Sequence, residues 1–101
     1  MANDPAHVDG SHYSVELEND HVRVLRVKYG PGEKSEMHWH PKHIAISLTD
    51  ASLKMHFPDG SSEDLIMKAG EIVEAPAGDH QPENIADASM EAILVEFKGA
   101  A

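Results

Sequence analysis

Apolar and polar residues alternate along most of this chain in runs of five to eight, and turn residues separate the runs. That is the pattern of half-buried strands in an all-β sandwich or barrel. The segments "YSVELE" (13–18) and "VRVLRVKY" (22–29) flank "NDH", a hairpin-like turn rich in residues that tolerate unusual backbone angles. "GPG" (30–32) breaks the run. "EMHWH" and "HIAISL" follow on either side of Pro41, and "SLKMHF" and "SEDLIM" flank "PDG" (58–60), a strong hairpin signal. A further strand is expected between Gly70 and Gly78 in "KAGEIVEAPAGDH", and "MEAILVEF" (90–97) ends the pattern. The good helix formers in 61–69 and 90–98 offer a helical alternative. Both segments are short and sit among β signals, which favours strands. Residues 1 to 12 are polar and without period and read as a flexible arm, 13–98 as one domain, and 99–101 as a tail.

Length and charge narrow the picture. A chain of 101 residues builds one modest core. Eight Lys and Arg against 18 Asp and Glu leave a formal charge of −10, so the summed field repels phosphate backbones and anionic lipid. Nucleic acid and membrane are therefore not expected partners. With no cysteine, any metal must be held by His, carboxylate or backbone oxygen. The first residues lack a basic start and an apolar stretch of signal-peptide type, and a cytoplasmic protein is expected.

Candidate chemistry concentrates in "EMHWHPKH", which puts His38, His40 and His43 within eight positions. Side chains alternate along a strand, so His38 and His40 share a face while Trp39 points the other way. Pro41 forces a bend, and a strand restarting at His43 carries His43, Ala45 and Ser47 on one face. If the bend folds that strand back beside the first, His43 rejoins the pair. Solvated histidines near a loop are the alternative. Glu36 shares strand parity with His38 and His40 and is a candidate base at the cavity mouth, or a solvated carboxylate. His7, His12 and His21 fall on the arm or a turn and read as solvated, and His56 as part of an exposed edge.

"GEKSEMHWH" together with "GEIVEAPAGDHQPEN" resembles the paired motifs of the cupin superfamily. Gly32 is followed by five residues and then by His38 and His40; Gly70, Pro76, Gly78, His80 and Asn84 fit the second motif, with one residue rather than two before the histidine. The resemblance implies a double-stranded β-helix (jelly-roll) barrel and one divalent transition metal, Fe, Mn, Ni, Cu or Zn. The usual glutamate ligand falls four or five residues after the second His, where this chain has Ile44 and Ala45. The ligand set it implies is therefore His38, His40, His43 and His80, or three of these if His43 turns away. Asn84 and the motif glycines read as turn stabilisers.

Four neutral ligands would leave the ion's charge uncompensated, which predicts a small anionic or enolisable substrate bound through oxygen. Cupins include dioxygenases, isomerases, lyases and binding modules. The all-histidine set points first to an Fe-type dioxygenase. The alternatives are a non-redox isomerase or lyase of a sugar acid or similar anion, and a non-catalytic sensing module. The apolar runs "IAISL" and "AILVEF" are expected to be covered on both faces, in so short a chain by a second copy, giving a homodimer.

Overall fold

The computed structural model describes residues 4–99. Nine strands form two sheets. β1 (Tyr13–Glu18), β2 (Val22–Tyr29), β9 (Met90–Phe97), β4 (His43–Ser47) and β7 (Ile72–Ala75) lie side by side in that order. The second sheet has the order β3 (His38–His40), β8 (Gly78–Asn84), β5 (Ala51–His56) and β6 (Ser62–Met67). All pairings are antiparallel, and the jelly-roll barrel expected from the sequence is the observed fold. Both segments with a helical alternative are strands. No helix among the described residues is long and apolar enough to cross a membrane.

β9 shows why the strands settle this way. Its burial alternates without a break, with Met90, Ala92, Leu94 and Glu96 inward and Glu91, Ile93, Val95 and Phe97 outward. Of the inward set, Met90, Ala92 and Leu94 join Leu25, Val27, Tyr29 and Leu53 in the core. Burying a side chain of this size is worth about 1.5–3 kcal/mol, so a one-residue slip that turned the set outward would undo the core. At the "PDG" turn, Gly60 takes φ +88°, a left-handed value that a side chain would strain. Its N–H donates to the Phe57 carbonyl and closes the β5–β6 hairpin.

Three segments differ from the sequence expectation. "GDHQPEN", to which the sequence reading assigns no strand and whose Gly, Pro and Asn disfavour one, forms β8, between β3 and β5. Pro82 is tolerated there because only its carbonyl is needed, and that accepts from the Ser35 N–H. Residues 4–12, within the expected arm, are packed onto the barrel; residues 1–3 of that arm lie outside the described residues, as do residues 100 and 101 of the tail. Asp4 caps a one-turn helix, α1 (Pro5–Val8), by accepting from the Ala6 N–H, and Pro5 and Asp9 are buried. His12 is not solvated: it stacks on Tyr29 at 4.4 Å and bonds Asp9 at 2.8 Å and Glu33 at 3.2 Å. β5, finally, is an interior strand, so His56 is on no edge, and its Nε2 lies 2.9 Å from the Glu83 carboxylate.

Candidate metal centre

The β3–β8 ladder sets His38 directly opposite His80, and His40 lies two residues on from His38, on the same face. Antiparallel partners share a face, so three imidazoles must converge. Their ring centroids stand 4.7 to 4.8 Å apart, and one potential ligand nitrogen from each lies within 4.8 Å of the others. The Nε2 atoms of all three rings are buried and have no hydrogen-bond partner. Buried polar nitrogens left in this state cost stability, and three of them pointing into one space suit a cation with affinity for imidazole.

The other ring nitrogens fix the tautomers. His38 Nδ1 donates to the Glu36 carbonyl at 2.8 Å, which leaves the lone pair on Nε2. His40 Nδ1 donates to Glu96 at 2.6 Å. Burial pushes the His40 and His80 pKa values down to about 2, assisted by the neighbouring imidazoles, and lowers His38 by the same cause. All three rings are neutral at ordinary pH, the form that ligates a metal.

Glu96 was not singled out in the sequence. It is 2 % exposed and accepts from His40 and from Arg23 Nε, the latter at 2.9 Å. Arg23 in turn grips Asp4 through two hydrogen bonds of 2.7 and 2.9 Å. Burial raises the Glu96 pKa while Arg23 opposes the rise; with Nδ1–H of a neutral ring donating to it, the carboxylate is the ionised partner. Glu96 thus holds the imidazole of His40 as a carboxylate behind a metal-binding histidine does. It also qualifies the expected lack of charge compensation: Asp4, Arg23 and Glu96 add a net −1 behind His40. One signal was available. Glu96 falls on the inward parity of an otherwise apolar strand, where a lone charge needs a reason. Arg23 had no such signal, because its pairing depends on the β2–β9 register that sets it opposite Glu96.

His43 reaches the same region by another route. Pro41 and Lys42 carry the chain from one sheet to the other, so β4 does not fold back beside β3. His43 faces the interior from the opposite sheet, next to Glu96 in the β4–β9 ladder and 4.8 Å from the His40 ring. Its Nδ1 donates to the Pro41 carbonyl at 2.9 Å, which leaves Nε2 as the basic nitrogen. The compact group of ligand nitrogens comprises His38, His40 and His80. Glu36 is exposed and precedes β3, which begins only at His38, so strand parity does not carry its side chain to the mouth. It acts here through its carbonyl on His38. Ala45 lines the cavity in front of the histidines, whereas Ser47 is fully buried and donates to the Thr49 carbonyl. Asn84 is the expected turn stabiliser: its amide donates to the carbonyls of Gly30 and Ala88, and its Oδ1 accepts from Ala86 N–H.

Beyond the histidines lies a cavity of about 550 Å³ between the two sheets. Tyr13 and Tyr29 are buried at its edge with their hydroxyls 2.7 Å apart, and the Tyr13 ring stands edge-on to His38 at 4.8 Å.

Solved structures share this architecture. A cupin domain from Bordetella pertussis Tohama I superimposes with a TM-score of 0.79 at 24% identity, over 86% of this chain and 92% of that one. The fold is that of a small cupin domain. A double-stranded β-helix protein from Klebsiella pneumoniae matches with a TM-score of 0.69 at 26% identity, over 88% of this chain and 77% of that one. The polyketide cyclase RemF from Streptomyces resistomycificus matches with a TM-score of 0.62 at 17% identity, over 84% of this chain and 63% of its own. No protein-family model matches the sequence, and a comparison with curated proteins finds no match.

Proposed function

We propose that this cupin domain holds one divalent transition metal on His38, His40 and His80 and uses it to act on a small oxygen-donor molecule in the adjoining cavity. The observation that carries the reading is the convergence of three buried, unpartnered Nε2 atoms beside a cavity that His40 and His80 line and that is large enough for a ligand. Bound there, the ion would supply Lewis acidity or, as iron, a site for O₂. Burial keeps the rings neutral, and the chain's own groups aim them: the Glu36 carbonyl holds His38, and Glu96, backed by Arg23, holds His40. His43, whose Nδ1–H is taken up by the Pro41 carbonyl so that Nε2 is free to accept, is placed to take a proton from a ligand or to join the metal as a fourth imidazole.

The reaction we favour is dioxygenation of an enolisable or hydroxylated molecule, because an all-imidazole set leaves the metal's charge to be met by an oxygen ligand. A non-redox reaction is the second reading, and the fold shared with a polyketide cyclase supports it. Loading the protein with Fe(II) and following O₂ uptake over a panel of chelating hydroxy-ketones tests the first. Turnover without O₂ consumption selects the second, and metal content well below one per chain after loading with Fe, Mn, Ni and Zn in turn removes both.

We also propose a homodimer through the outer face of the five-stranded sheet. Leu17, Val24, Val95 and Ile44 form one row across it, and Ile93, Ile46 and Ile72 the next; Ile72 is 65 % exposed. Charges around the rows pair off, Arg26 with Glu16 and Glu91 and Lys42 with Glu74, so the chain's net charge opposes self-association less here than elsewhere. Light scattering at micromolar concentration reads the mass directly, and a value near 11 kDa refutes the dimer.

A further inference from the structure

The walls of the cavity say more about its ligand than the histidines do. Apart from the imidazoles, the tyrosine pair and Glu63, the inward side chains that line it are apolar, among them Val27, Leu53, Met55, Leu65, Met67 and Leu94. Among the described residues no lysine or arginine lines the cavity. The charged groups that do are all carboxylates. Glu63 lies opposite Met55 in the β5–β6 ladder, on the cavity side, whereas Asp64, Glu74 and Asp79 belong by strand parity to the outer faces. Glu63 is exposed, so it meets solvent as well as the cavity.

A ligand reaching beyond the metal therefore finds a greasy wall with one carboxylate, Glu63, and no cation. A second carboxylate or phosphate on its far end would leave water without a cationic partner, which is strongly unfavourable, and would meet the like charge of Glu63. A row of sugar hydroxyls would lose its hydrogen bonds to water and regain few, since the tyrosine hydroxyls already bond each other. Each buried methylene, by contrast, adds about 4-fold to affinity. At about 550 Å³ the cavity lies within the roughly 300–1,000 Å³ range of drug-sized pockets, so a chelating head alone would fill only part of it.

We propose that the ligand of this cavity carries its oxygen donors, and any negative charge, only at the metal end, and that its body is uncharged and apolar: an alkyl- or aryl-substituted catechol, hydroxy-ketone or enolisable diketone, not a sugar acid or a dicarboxylate. The head's position rests on the metal reading above; the character of the body rests on the walls alone.

Three catechols that differ only in the side chain test this on the Zn(II)-loaded protein, where no turnover interferes: 4-ethylcatechol, 4-butylcatechol and 3-(3,4-dihydroxyphenyl)propanoate. By calorimetry, butylcatechol should bind about 10-fold tighter than ethylcatechol, and at least as far ahead of the propanoate. A propanoate that binds as tightly as butylcatechol, a flat alkyl series, or no butylcatechol binding at millimolar concentration overturns the proposal. Leu65→Gln, at a half-buried wall position, should weaken butylcatechol about 5-fold or more and the propanoate little; equal losses count against the cavity. In metal-free protein, 4-butylphenol should still outbind 3-(4-hydroxyphenyl)propanoate. Failure to take up zinc therefore removes the metal reading while this last comparison still decides the character of the body.

Discussion

The two sheets serve the centre in different ways. The four-stranded sheet supplies the three ligands from a single ladder, where the pairing of His38 with His80 fixes their spacing through backbone hydrogen bonds. The five-stranded sheet faces them with Arg23, Glu96 and His43, neighbours in one row of its own ladders. The first sheet needs only its register to place the imidazoles. Groups on the second reach the centre only because the barrel closes, through Glu96 on His40 and the ring of His43 against that of His40. Ligation and its support are thus carried by separate elements, and substitutions can probe them separately.

Removing a ligand should have the largest effect. His38→Ala and His80→Ala are each expected to lower bound metal after desalting to about a tenth of an equivalent or less, since two imidazoles seldom hold an ion that three hold well. Elemental analysis measures it. Retention of a full equivalent in either variant would move the site away from the β3–β8 ladder.

Removing the support should cost less. Glu96→Ala is expected to weaken metal binding about 10- to 100-fold, the usual price of losing a carboxylate behind a histidine ligand. Glu96→Gln keeps an oxygen for the His40 Nδ1–H and should recover most of the loss. Competition with a chelator gives both affinities, and equal loss in the two variants would mean that Glu96 acts by its charge and not by orientation.

The pH dependence of stability follows from the depressed imidazoles. His40 and His80 have folded pKa values of about 2, far below the ordinary value of 6.5, because burial opposes their charge. The unfolded chain therefore binds protons below pH 6.5 that the folded chain refuses. The stability these groups contribute is complete above pH 6.5 and is lost as the pH falls from there toward about 2. The urea midpoint of metal-free protein should accordingly be lower at pH 5 than at pH 7.5. A midpoint that is unchanged or higher at pH 5 would contradict the neutral, buried state of the rings.

His43 is expected to show the smallest effect on the metal. His43→Ala should change metal affinity by less than about 3-fold, because His43 belongs to the supporting sheet and not to the ligand ladder. A loss of about 10-fold or more, comparable with His40→Ala, would make it the fourth ligand and join the two roles in one residue.

Much of this protein could be read from its residues alone. Strand alternation and turn chemistry placed β1, β2, β6 and β9 with their observed bounds, because each has one face in the core and an out-of-register strand would expose it. His-x-His on a strand already put His38 and His40 on one face, since that follows from the two-residue period of a strand. The resemblance of two spaced motifs added His80 and the barrel. What escaped was whatever depends on which strand lies beside which. "GDHQPEN" becomes a strand only because β3 and β5 flank it, and local propensity, with a proline inside, argues against it. Glu36 lost its expected place because β3 starts two residues later than parity assumed. Arg23 and Glu96 are 73 positions apart, and His40 and Glu96 are 56 apart. No spacing rule links residues that far apart; the tertiary register brings them to hydrogen-bonding distance. The same holds for the cavity. Its wall residues look like ordinary core in the sequence, and only the tertiary structure shows that Val27, Leu53 and Leu94 of the core cluster also line a cavity.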